Sequence, residues 1–229
     1  MNILAFDTCF DGCSVCVAER HGDSVVPLSF LMQRFETGHA ERLIPMIGEA
    51  MQQARFSFDH VDRIAVTVGP GTFTGTRIGV AAARALALAT GAQTVGVSSL
   101  AVMAEVARRE VTSAALAVVV DARRGEVYAQ LFGAGGGLDA KSSPQLLSID
   151  DAAQLGDGPI VFVGSGGTAV AAAAIGRREA VARLPDLLPD ARALAHIGGA
   201  LVASDAPLVP FYLRPPDAKP QVGKAVARA

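Results

Sequence analysis

The period of the apolar positions changes repeatedly along this chain, and each change marks a boundary between elements. Asn2 to Thr8 (NILAFDT) is apolar almost throughout and ends in a carboxylate, the pattern of a buried strand. Gly12 to Glu19 and Ser24 to Met32 follow, separated by the turn residues Asp11-Gly12 and His21-Gly22-Asp23, which predicts an antiparallel three-strand meander. The period then lengthens. From His39 to Ala54 the residues Leu43, Ile44, Ile47, Ala50, Met51 and Ala54 recur at helical spacing, with Pro45 placed to offset the first turn. Ile64 to Ala89 reads as a strand over Ile64 to Val68, a Gly-Pro-Gly break, and a helix capped by Thr72 or Thr74 that is apolar on nearly every face. A short strand (Gln93 to Val97) and a helix capped by Ser98 or Ser99 and running to about Glu110 close this first unit.

A second unit begins near Ala114. Leu116, Val118, Val119 and Val120 form a buried strand ending in Asp121, and Gly125 to Phe132 (GEVYAQLF) is the strand after it. This repeats the opening, where ILAFD is followed by a turn and GCSVCV, and points to a duplicated domain. The flexible loop Gly133 to Gly137 ends the hairpin. Beyond it the pattern is thinner: a short helix near Ile149 to Leu155, a strand Ile160 to Val163, a Gly-Ser-Gly-Gly corner, an Ala-rich helix to about Ile175, a last strand Val181 to Leu184, a helix Ala191 to Ala203 and a closing segment Leu208 to Leu213. From Arg214 the sequence RPPDAKPQVGKAVARA has no apolar face and three prolines, so a disordered tail is expected. The predicted division is therefore residues 1–110, 111–213 and a tail over 214–229.

Composition narrows the class. Half of the 229 residues are hydrophobic, enough for two small cores. No apolar run approaches the roughly 20 residues of a membrane span, and Met1 leads straight into a strand pattern, so a cytoplasmic protein without membrane contact is expected. A formal charge of -2 leaves no whole-chain footprint for nucleic acid. Cys9, Cys13 and Cys16 are an odd set crowded into the first strands; Cys13 and Cys16 are three apart in a strand pattern and so face opposite ways, as buried free thiols.

Candidate chemistry sits at the strand ends. Gly69 and Gly71 with a helix start at Thr72 make an anion-binding geometry, yet the loop has no lysine and does not match the G-x-x-x-x-G-K-[ST] pattern, so a plain strand-to-helix corner stands beside the phosphate reading. Asp7 and Asp121, facing a common cleft if the halves are duplicates, suit a metal-nucleotide or acid–base work; equally, each suits the N–H groups of its own turn. Gly164 and Gly166 are the matching corner of the second half. His21, His39, His60 and His196 are scattered without ligand spacing, and Gly-x-Ser-x-Gly is absent, so no metal site and no serine triad is expected.

Four stretches, ILAFDT, HAERLIPMI, VTVGPGTFTGTRIGVAAARALA and VVVDARRGEVYAQLF, together resemble the TsaB (YeaZ) family of tRNA threonylcarbamoyladenosine biosynthesis proteins, relatives of TsaD, over most of the chain. The resemblance implies an α/β fold of the actin-like/Hsp70-like (ASKHA) class, built from duplicated ribonuclease-H-like domains with the second reduced. It implies a non-catalytic subunit that binds and activates a TsaD-type catalytic paralogue, with a TsaE-type ATPase as a further partner, in transferring a threonylcarbamoyl group to an adenosine beside the tRNA anticodon. TsaD relatives hold a metal through a pair of histidines in an H-x-E-x-H-type stretch; here that stretch is Val97 to Glu105 (VSSLAVMAE), with no histidine. No cofactor of its own is expected, any ATP belonging to the shared complex, and tRNA is met only through that complex. The all-round apolar character of the second helix places the partner surface on His39 to Ala54 and Thr74 to Ala89, with His39, Arg42, Leu43, Met46, Arg77, Gly79, Ala82, Ala83 and Leu86 as its residues and a two-fold homodimer when the chain is alone. The alternative is an actin-like-fold ATPase or kinase using Asp7, Gly69, Gly71, Thr72, Asp121, Gly164 and Gly166 around an interdomain nucleotide.

Overall fold

The computed structural model describes residues 1–135, 139–203 and 206–214. Its first half contains β1 (Asn2–Asp7), β2 (Gly12–His21), β3 (Ser24–Arg34), α1 (His39–Gln53), β4 (Arg63–Gly69), α2 (Phe73–Thr90), β5 (Gln93–Ser98) and α3 (Ser99–Ala107). The second half contains β6 (Ala115–Asp121), β7 (Glu126–Phe132), β8 (Gln145–Ser148), α4 (Ile149–Ala152), β9 (Ile160–Val163), α5 (Gly167–Ala173), β10 (Ala180–Arg183) and α6 (Ala191–Ala200). The sheet orders are β3-β2-β1-β4-β5 and β10-β9-β6-β7-β8. In each half the first three strands pair antiparallel, and the first, fourth and fifth pair parallel. The wiring of the two halves is the same, so the duplication read from ILAFD and VVVD is real. The architecture is the duplicated ribonuclease-H-like arrangement of the actin-like class.

Side-chain alternation explains why both faces of each sheet are covered. From β1, Leu4 and Phe6 enter the core beneath α1 and α2, while Ile3 and Ala5 enter the one shared with α3 and α6. From β6, Ala117 and Val119 face α4 and α5, while Leu116, Val118 and Val120 meet Leu100, Met103 and Ala104 of α3. Thus α3, which ends the first half, packs between the sheets, and α6, which ends the second, returns onto the first sheet. Close approach of α6 needs small residues: a Cβ at Gly198 would lie 2.6 Å from that of Ala65. The open C-terminal carbonyls of α6 are taken by arginine, with Arg63 Nη1 donating to Gly198 O and Leu201 O at 3.0 and 2.7 Å and Arg20 Nη1 to Gly199 O at 2.5 Å.

Several details differ from the sequence reading. β8 was not predicted; it is four half-buried residues paired only with β7. Ile44, assigned to the buried stripe of α1, is 54% exposed, and Met46 takes its place inside. The helices after Ile149 and Gly166 are shorter than read. Cys13 and Cys16 are buried free thiols in the two different cores of the first sheet, as their spacing requires, and burial pushes both up to about 12. Among the described residues no helix is long and apolar enough to cross a membrane. The predicted tail from residue 215 lies outside the described residues.

Candidate functional site

The corner between β4 and α2 is built by contact with the chain's own Thr8 and Cys9. Thr72 N–H donates to Cys9 O at 2.7 Å, and Thr8 Oγ1 donates to Gly75 O at 2.7 Å. A Cβ at Gly71 would lie 2.5 Å from Cys9 O, and one at Gly75 would fall on the carbonyl oxygen of Thr8. Gly69, at φ +110° ahead of a cis bond to Pro70, has its open side against the Phe211 carbonyl. Thr72 is the N-cap, its Oγ1 accepting from Gly75 N–H at 3.2 Å. The glycines therefore make room for protein backbone, and the plain strand-to-helix corner accounts for Gly69, Gly71 and Thr72 without a bound phosphate.

Asp7 lies beneath this corner and is 3% exposed. Its Oδ1 accepts from Thr67 Oγ1 at 2.5 Å and from Cys9 N–H at 3.2 Å. Burial raises its carboxyl to about 6, and the bonds from Thr67 and Cys9, with the charge of His39, pull the other way. The neighbouring Cys9 thiol, 3.3 Å from Thr67 Oγ1, is pushed far above its ordinary range by burial and by Asp7. Asp121 is exposed: its N–H donates to Ser165 Oγ at 3.0 Å and its Oδ1 accepts from Arg123 N–H at 2.7 Å. Gly164 and Gly166 are pressed on Val119 O and Val127 Cγ1, where Cβ atoms would lie at 2.6 and 2.8 Å. Each aspartate thus serves the N–H groups of its own turn, one buried and one open. Among the described residues no three His, Cys, Asp or Glu side chains gather to hold a metal ion. The stretch from Val97 to Glu105 is apolar packing, with Leu100, Val102, Met103 and Ala104 fully buried.

The two helices chosen as a partner surface present different residues from those named. His39, Leu43, Met46, Gly79 and Ala83 are buried in the chain itself; Ala83 is 0% exposed, and Gly79 faces Thr8. Ala82 and Leu86 are half-buried, and only Arg42 and Arg77 of that set are exposed. The correction follows from helix geometry: an all-apolar helix does not reveal which side the sheet takes. What α2 turns outward is Arg77, Ala81, Arg84, Ala85 and Leu88, the last 89% exposed, and α1 adds Ile44.

The sequence reading missed one construction altogether. Residues Leu208–Arg214 form a strap across both halves: Leu208 enters the core under α2, Phe211 N–H donates to Val68 O at 2.6 Å, and Tyr212 OH accepts from Arg77 Nε at 2.8 Å. Arg214 then reaches the β6–β7 turn, donating to Ala122 O at 2.8 Å and to the Glu126 carboxylate at 2.5 Å. The available signal was the clustering of Leu208, Phe211 and Tyr212 in a chain with two tyrosines and no tryptophan.

Residues 33–192 match the family model TsaD, described as tRNA N6-adenosine threonylcarbamoyltransferase. The tRNA threonylcarbamoyladenosine biosynthesis protein TsaB of Escherichia coli K12 is 37% identical over 128 residues, 56% of this chain and 53% of that protein. The match thus spans about half the length of that relative. An uncharacterized protein of Mycobacterium tuberculosis H37Rv is 34% identical over 220 residues, 95% of this chain and 94% of that protein. Among solved structures, YeaZ from Pseudomonas aeruginosa superposes with a TM-score of 0.74 at 30% identity, covering 86% of this chain and 90% of that one.

Proposed function

The chain belongs to the TsaD family, in its TsaB/YeaZ group, and from that membership we propose that it is a non-catalytic subunit of a tRNA threonylcarbamoyladenosine-forming complex. In this reading it binds a TsaD-type catalytic paralogue through the outer faces of α1 and α2 and activates it, with a TsaE-type ATPase joining the assembly and any ATP bound there. The observation that carries the reading is the outward face of α2, largely apolar around Arg84: Leu88 is 89% exposed beside Ala81 and Ala85, and Ile44 on α1 is 54% exposed. Small residues let a second helix approach closely, and a large apolar residue at the edge gives such a contact its anchor. Without the paralogue, the same face pairs two copies about a two-fold axis. The glycines of both corners approach Thr8, Cys9 and Val119 so closely that backbone packing accounts for them without a nucleotide, which supports the subunit reading over an ATPase.

Reconstitution tests this directly. With the TsaD-type and TsaE-type proteins, tRNA, ATP and the threonylcarbamoyl donor supplied, modification is expected to require the chain and to be absent from the chain alone. Equal modification with the chain omitted, or turnover by the chain in isolation, would sink the proposal.

A further inference from the structure

Arg77 is held in an unusual way for a surface arginine. Its guanidinium carbon lies 3.6 Å over the Phe73 ring and 5.7 Å from that of Tyr212, and its Nε is fixed by the Tyr212 hydroxyl at 2.8 Å. The two rings are 5.3 Å apart, tilted at 32°, and Phe73 is 43% exposed. Among the described residues neither terminal nitrogen of Arg77 has a hydrogen-bond partner, so the forked end that grips phosphate is preorganised and open.

Two residues beyond Tyr212, at most about 7 Å along the chain, Arg214 holds the β6–β7 turn through the carbonyls of Ala122 and Arg123 and the carboxylate of Glu126. That turn carries Arg123 and Arg124 at φ +63° and +61°, left-handed conformations that glycine or asparagine adopts more readily. Strained backbone of this kind persists where neighbours over-determine it and often marks function. Both side chains are exposed, and the guanidinium of Arg123 has no partner among the described residues. The nearby carboxylates are already engaged, Glu126 by Arg214 and Asp121 by the Arg123 N–H. A local cationic surface with aromatic rings therefore spans the strap, in a chain whose formal charge is -2.

We propose that Phe73, Arg77, Tyr212 and Arg123 form an RNA contact that grips backbone phosphates of the tRNA handled by the complex. This rests on the proposed function for the identity of the RNA. Rigid, stacked arginine beside the exposed Phe73 ring and the half-buried Tyr212 suits a phosphodiester chain with unstacked bases. An acidic protein segment is the competing occupant, and the test separates the two.

Fluorescently labelled tRNA is titrated, by anisotropy, with the full chain alone and with its complex with the TsaD-type protein, from about 50 to about 200 mM salt. In both settings Arg77→Gln with Arg123→Gln is expected to weaken binding about fivefold near physiological salt and to lower the slope of log K against log salt by about 1.4, two contacts at about 0.7 each. Arg123→Gln alone, at the β6–β7 turn and off the outer faces of α1 and α2, is expected to lower the slope by about 0.7 and to leave partner affinity, measured by sedimentation, unchanged. Arg77→Lys keeps the slope and loses part of the affinity, because the charge remains while the fork and stack are gone. Unchanged affinity and slope in the double variant would overturn the proposal, as would a parallel loss of partner binding in Arg123→Gln, which would give this face to protein. Should the wild-type chain fail to bind the TsaD-type protein, the functional reading falls, and the chain-alone titration decides this one: no RNA binding there overturns it.

Discussion

The two halves share one wiring and differ in everything laid over it. β3, α1 and α2 have 11, 15 and 18 residues; their counterparts β8, α4 and α5 have 4, 4 and 7. Both corners press glycine onto backbone, but the first is closed by Thr8, Cys9 and a buried Asp7, while the second leaves Asp121 in solvent. Topology is thus kept by the alternation inside the sheets, which each half needs to bury its strands. Length in the outer helices is not needed for that wiring, and only the first half has it.

Glycine replacement at matching helix starts probes that difference most severely. In Gly75→Ala the new methyl meets the Thr8 carbonyl, itself fixed between β1 and the corner, so a loss of about 3 kcal/mol in unfolding free energy is expected. At Gly167 the nearest atom, Phe162 O, is 3.1 Å away, and the helix-propensity gain of alanine, about 0.8–1 kcal/mol, offsets much of the crowding. Gly167→Ala should therefore shift the urea midpoint by less than half as much. Equal shifts would mean that the two corners are packed alike.

Asp7 gives the first half a pH dependence of known sign. Its folded-state value of about 6 exceeds the ordinary aspartate value near 4, so the folded chain holds this proton more tightly than the unfolded chain does. The penalty for ionising it is absent below about pH 4, grows between about 4 and 6, and is complete above that. Asp7→Asn removes the titration. Whatever fixed penalty the amide brings, the stability of the variant relative to wild type is expected to rise by about 2 kcal/mol from pH 4 to pH 7. A difference that stays flat across denaturant titrations at those pH values would show that Asp7 is better solvated than its burial implies.

The outer faces are compared by placing charge on each. Leu88→Glu on α2 is expected to weaken association with the TsaD-type protein at least tenfold, about 1.4 kcal/mol, without lowering the melting temperature. Ile175, 78% exposed just beyond α5, is the control, and Ile175→Glu should leave association unchanged. If sedimentation shows both variants binding normally, the outer face of α2 is not the docking surface.

Much of this comparison was legible before the fold was seen. Continuous apolar runs in NILAFD and VVVD, each ending in a carboxylate and followed by turn residues, located both hairpins, and Gly-Pro-Gly followed by an Ala-rich run located the corner and α2. The outward face was not legible, because α2 is apolar on sides that pack and on sides that do not. Ala83, a natural choice for a surface charge, is wholly buried, so glutamate there would disrupt the core and report nothing about docking. β8 escaped because four half-buried residues carry too short an alternation to signal a strand. Asp7 could be placed at a strand end but not at a depth, since burial depends on what the corner does with Thr8 and Cys9.

The strap, like α3, touches both halves, and its far end has the smallest expected effect. Arg214 reads in sequence as the first residue of a solvated tail, with prolines following, yet its side chain is 20% exposed and joins Glu126 and the Ala122 carbonyl. Glu126 is 39% exposed, so solvent screens the pair and its charge contributes little; the carbonyl bond adds a contribution of ordinary size. Arg214→Ala is expected to lower stability by about 1 kcal/mol and Glu126→Ala by less, with a coupling of about 0.5 kcal/mol in the double-mutant cycle. The strap would then stay fixed to the first half through Leu208 and Phe211, so melting should remain a single transition. Two separate transitions in calorimetry of Arg214→Ala would instead show that this one side chain holds the halves together.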